Sequence, residues 1–217
     1  MYRKQSGFTL VEIAIVLVII GLLLGGVLKG QELIQSAKIK NVIADFNGTT
    51  IAYYGYRDRY KAIPGDDKGA SARWTSANPA PANGDGLGTL GGAFDATSGE
   101  SFDFWHHLRL AGFVGGSGSG GPENAYAGKL GVQDGADSFH VVAGDGFKGV
   151  IICASKIADK GAAAIDNQLD DGNPNTGIVR AIKEGTTALV IDKDLALTAG
   201  TVYEETGNIT YTMCKSL

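Results

Sequence analysis

The sequence predicts an α+β fold in which one long N-terminal helix, its first half membrane-spanning, packs on a mostly antiparallel sheet. Three observations lead there. From Phe8 to Leu28 the only ionisable side chain is Glu12. Beyond Leu28 an apolar periodicity of helical type continues to about Tyr60. The remainder is rich in glycine, of which the chain has 33, and its apolar residues fall in short runs between turn residues.

The first run has the length of a membrane span. At about 1.5 Å per helical residue it covers roughly the 30 Å of a bilayer's hydrocarbon core. A carboxylate inside such a segment costs roughly 2.5–3.5 kcal/mol at the centre and less near an end, so Glu12 is read as functional. Ahead of it Met1 to Gly7 carry Arg3 and Lys4 and no acid, which places that end in the cytoplasm. A secretory signal peptide has an apolar region of about 7–15 residues ending in small residues. The run here is longer, and Gly25-Gly26-Val27-Leu28-Lys29 offers no such site.

After Leu28 the helix becomes two-faced. Val27, Leu28, Leu33, Ile34, Ala37, Val42, Ile43 and Phe46 form one side, and Lys29, Gln31, Glu32, Gln35, Lys38 and Lys40 the other. Pro64-Gly65 is the stop, and Asn47-Gly48 followed by β-branched Thr49, Thr50 and Ile51 admits a bend.

The stretch Gly7-Phe8-Thr9-Leu10-Val11-Glu12, after a short basic leader and before an unbroken apolar helix, resembles the class III signal of type IV pilins and type II secretion pseudopilins. The resemblance implies cleavage between Gly7 and Phe8 by a prepilin peptidase and N-methylation of Phe8. It also implies that Glu12 pairs with the α-amine of a Phe8 during filament assembly. Such an amine has a reference pKa of roughly 7.7–8.0 and stays charged when methylated, and a cation and a carboxylate are less costly in an apolar bundle as a pair. The implied division is a leader at 1–7, a long helix at 8–62 with its transmembrane half at 8–28, and a head at 63–217 in the pilin-like α+β arrangement. The implied role is a structural subunit of a type IV pilus-like filament. The alternative is a minor pilin or pseudopilin acting in tip adhesion, assembly priming or type II secretion. Its partners would be identical or related subunits, the prepilin peptidase, the inner-membrane assembly machinery and, before assembly, membrane lipid. The protein would sit in the bacterial inner membrane with its head in the periplasm, and afterwards in a pilus or periplasmic filament. Pilins often carry a proline in the apolar half of this helix; here Gly21, Gly25 and Gly26 are the residues that would permit local unwinding.

A net charge of −4 gives no global attraction to nucleic acid. Tyr53, Tyr54, Tyr56 and Tyr60 with Arg57 and Arg59 are read as a packing face, since spacings of three and four line one side of a helix and Asp58, Asp66 and Asp67 dilute the basic charge. Cys153 and Cys214 are the two cysteines. A head outside the cytoplasm makes a disulfide between them the expectation, with two free buried thiols as the alternative. The resemblance points the same way, since many type IV pilins have a disulfide-bounded C-terminal region, here 153–214.

From Pro64 to Gly99 the composition predicts a long connecting loop anchored by Trp74. Asn83-Gly84-Asp85-Gly86 is read as a turn. Ser98 to Ala111 reads as a short helix capped by Ser98 or Ser101 and ended by Gly112. His106, His107 and His140 are read as structural. Gly115 to Gly121 is read as a flexible surface loop. Phe139 to Val142 and Gly149 to Cys153 read as a strand pair, Ala162 to Leu169 as a helix, and Ile178 to Ala181, Ala188 to Ile191 and Ile209 to Met213 as strands. Asp171, Asn173 and Asn175 alternate as at the start of a calcium loop, and some pseudopilins, by the same resemblance, bind calcium near the C-terminus. The glycine comes one place late, at Gly177, and no glutamate closes the loop, so calcium is set beside a plain Asx turn as the alternative. No other cofactor is expected. No nucleophile setting, metal cluster or phosphate loop is visible, so no enzyme activity is expected.

Overall fold

A computed structural model describes residues 9–136, 145–185 and 202–217. The chain forms two compact units, one up to Ala37 and the other from Lys38 to Leu217. Helix α1 (Leu10–Tyr60) supplies residues to both. In the first unit its side chains from Leu10 to Leu28 are, apart from Glu12, uncharged and overwhelmingly apolar, and they are exposed on every side. A helix apolar all round has no polar face to give to water; its solvent is lipid or other protein. By length and hydropathy α1 is able to cross a membrane.

In the second unit α1 buries Val42, Phe46, Thr49, Ala52, Tyr53 and Tyr56, the spacing that brings residues to one helical face. Tyr53 stacks on Phe104 and Tyr56 on His107, with centroids 6.3 and 6.2 Å apart. The tyrosine cluster is therefore mainly a packing face, as expected, although Tyr54 stays half exposed. The helix ends at Tyr60, and Lys61 turns into the left-handed region (φ 54°) while its N–H still reaches Arg57 O at 2.9 Å.

The segment after α1 carries a short helix, α2 (Ala70–Arg73), and is tied down by carboxylates. Asp66 accepts the N–H groups of Gly86 and Gly88, and Glu100 those of Asp85 and Gly91. Gly65 is required where it stands. Its φ is +91°, a Cβ would lie 2.3 Å from Glu100 O, and its N–H donates to His107 Nδ1 at 2.9 Å. Helix α3 (Glu100–Leu110) follows, with Phe104, Trp105 and Leu108 in the core. The expected serine cap is absent: Gly99 is the N-cap, and the Ser101 hydroxyl instead donates to Gly91 O and Gly92 O.

Strand β1 (Leu130–Asp134), strand β2 (Val150–Ala158), helix α4 (Asp159–Leu169), strand β3 (Val179–Lys183) and strand β4 (Thr210–Ser216) complete the described elements. All strand pairs are antiparallel, in the order β1-β2-β4-β3. β1 was not anticipated. The expected strands at 139–142 and 188–191, and His140, lie outside the described residues. The expected helix at 162–169 begins earlier, at Asp159.

Alternation along β2 divides the core. Val150, Ile152 and Ala154 join the cluster shared with α1 and α3, whereas Ile151 and Cys153 face Phe94, Phe147 and Cys214. Both faces of the sheet's centre are thus covered, which explains the nearly continuous apolar run from Val150 to Ala154.

Candidate functional site

At the start of α1, Thr9 and Glu12 form a closed set of hydrogen bonds. The Thr9 N–H and hydroxyl donate to Glu12 Oε2 at 2.7 and 2.8 Å, and the Glu12 N–H donates to Thr9 Oγ1 at 3.3 Å. This is a capping box, a threonine followed three residues later by a glutamate that reaches back to its amide. The sequence reading gives Glu12 a partner in the α-amine of a Phe8 and assigns no role to Thr9, whereas the structure pairs the two within one chain. The signal was present: Thr9-x-x-Glu12 directly precedes an apolar helix. Gly7 and Phe8 lie outside the described residues.

Cys153 and Cys214 are joined in a disulfide, as expected. They are register partners on β2 and β4, with Cα atoms 4.1 Å apart, and both are fully buried. The bond sits in the smaller apolar cluster with Phe94, Phe147 and Ile151.

The Asp/Asn-rich segment after α4 is built from consecutive Asx turns. Asp171 Oδ1 accepts the Asn173 N–H at 2.9 Å, and Asn173 Oδ1 accepts the Asn175 N–H at 3.0 Å. The Thr176 hydroxyl donates to Asp171 Oδ2 at 2.5 Å, and with the Asn173 amide it holds the Asp171 carboxyl below its usual range. The structure brings Asp171 together with Asp166 and Asp170, whose carboxylate oxygens lie within 4.8 Å of one another. Asp166 is fully buried and accepts the Tyr203 hydroxyl at 2.7 Å and the Gly172 N–H at 3.3 Å. Burial pushes its pKa up to about 6. Asp170 accepts the Val179 N–H at 2.9 Å. A second trio, Asp66, Asp85 and Glu100, has the same character, since Asp66 and Glu100 accept the backbone amides named above and Asp85 accepts the Leu87 N–H at 3.0 Å. Either trio has the oxygen donors for a hard cation, and in both each acid already serves the fold.

An open cleft of about 1000 Å³ lies beside the end of α1, lined by Tyr54, Arg57, Lys61, Asp66, Asp67 and Lys68 among others. The buried Asp67 in its lining is engaged: Asp67 Oδ2 accepts the Tyr56 hydroxyl and pairs with Arg73, each at 2.6 Å. His107, which donates from Nε2 to Ala82 O at 2.9 Å and accepts at Nδ1, is held neutral by burial and serves as a structural bridge.

Among known families, the one described as the prokaryotic N-terminal methylation motif matches residues 2–28. No curated protein matches the chain significantly.

Proposed function

We infer from the methylation motif at residues 2–28, the class III signal of type IV pilins and pseudopilins, that the protein is a structural subunit of a type IV pilus-like filament. The match carries the reading. It spans the apolar start of α1 and includes Gly7, Phe8 and Glu12. In this reading a prepilin peptidase removes residues 1–7 and Phe8 is N-methylated. The apolar half of α1 anchors the subunit in the inner membrane with the head in the periplasm, then enters the filament. The all-round apolar surface supports this, because it suits a lipid span first and a bundle of identical helices afterwards.

The charge on Glu12 then has a partner in the new α-amine of a neighbouring subunit, where each ion offsets the other's desolvation. In this reading the subunit acts by polymerising. Mass spectrometry of the membrane-extracted protein tests the reading: the expected mature form begins at N-methylated Phe8. A retained Met1, or a start beyond Leu28, would remove it. Glu12→Ala is expected to be inserted and cleaved yet to stay out of filaments, and filaments of normal yield from that variant would count against the pairing.

A further inference from the structure

We propose that Thr9 is a positioning residue for subunit assembly: it holds one oxygen of the Glu12 carboxylate within its own subunit and leaves the other for an ammonium group on a second copy of this chain. The inference rests on the filament reading above. Both bonds from Thr9 end on Glu12 Oε2, and Oε1 has no partner among the described residues. A carboxylate carries about four acceptor sites over its two oxygens, so one oxygen can serve the capping box while the other meets an incoming N–H donor.

The surroundings make this division consequential. Leu10, Val11, Ile13 and Ile15 are exposed and apolar, so the side chains around Glu12 offer nothing to replace a missing hydrogen bond in a bilayer or a helix bundle. An acid held there without partners would be strongly disfavoured. The capping box supplies two donors from the same chain, and the start of the helix adds a favourable dipole. It also fixes the side chain before any neighbour arrives. Ordering a glutamate at the moment of docking would subtract from the binding free energy, and a carboxylate already held loses less. Docking then adds a bond to Oε1 and breaks none to Oε2.

The hydroxyl is the discriminating group, because it both accepts the Glu12 N–H and donates to Oε2. Valine keeps the shape of threonine and can do neither. Glycine lacks the hydroxyl yet is a fair N-cap, which controls for a loss of helix initiation.

The test expresses full-length Thr9→Ser, Thr9→Val, Thr9→Gly and Glu12→Gln in cells carrying the assembly machinery. Membrane insertion, leader cleavage and filament yield per cleaved subunit are scored for each. Thr9→Ser is expected to match the wild type, and Thr9→Val and Thr9→Gly to be cleaved but to give roughly tenfold fewer filaments. Wild-type yield from Thr9→Val or Thr9→Gly, or a Thr9→Ser as poor as Thr9→Val, overturns the positioning role. Glu12→Gln keeps these failures apart from failure of the filament reading. Glutamine completes the same capping box without the charge, so its yield is expected to collapse. Normal filaments from it would overturn the charge pairing itself, and the role of Thr9 with it.

Discussion

Asp166 has no exposed surface and sits beside two other aspartates, so its proton is coupled to folding. Its pKa stands at about 6 in the fold, against 3.8 for the free side chain. Between those values the folded chain holds more protons than the unfolded one, and the stability of the fold falls as pH rises. The contribution is fully present below about pH 3.8 and is lost as pH passes 6; the interval corresponds to roughly 3 kcal/mol. Urea denaturation of the detergent-solubilised protein between pH 4 and 7, compared with Asp166→Asn, is expected to show the variant lacking this slope. Identical profiles would mean that Asp166 is not titrating in the fold. At this scale the sequence was uneven. Thr9 and Glu12 could have been paired from spacing alone, because a capping box is local. Asp166 could not be singled out, since the hydroxyl that bonds it belongs to Tyr203, 37 positions away in the chain.

The long helix was the most legible element, because an apolar run and a helical stripe are each written in consecutive residues. The structure gives it as Leu10–Tyr60, two residues short of the expected 8–62 at each end. The sheet was harder. β1 is short, contains Gly131 and Gln133, and is buried on both faces, so it shows neither alternation nor an unbroken apolar run. Gly131 is there because a Cβ would lie 1.8 Å from Phe94 O, a constraint set by a residue far away in sequence. The serine cap of α3 failed for a similar reason: Ser101 had a better acceptor in a loop whose path no local pattern reveals. The stripe on α1 gives the prediction at this scale. Phe46 is fully buried, and Phe46→Ala is expected to destabilise the head by about 3–5 kcal/mol. Denaturant midpoints should register this while membrane insertion and leader cleavage stay normal. A loss below about 1 kcal/mol would show that the stripe does not carry the packing assigned to it.

Across the whole molecule, the disulfide links residues 61 positions apart. Chain-entropy reasoning gives such a loop about 4 kcal/mol, a large share of the roughly 5–15 kcal/mol by which domains are stable. Cys153→Ser is expected to leave the membrane anchor in place and to make the head sensitive to protease. A head equally resistant with and without the bond would show that the sheet holds without it. The strand order adds a consequence in time. β4 comes last in sequence among the described strands, yet it lies between β2 and β3 and joins them. A chain made from its N-terminus therefore has β1, β2 and β3 waiting while the piece that unites them is still missing. Among the described strands, the half-built sheet leaves open the edges of β2 and β3 that β4 later fills, the kind of edge on which strands from other molecules can pair. In the finished sheet β4 fills both of those edges at once, and the same strand brings Cys214 into register with Cys153.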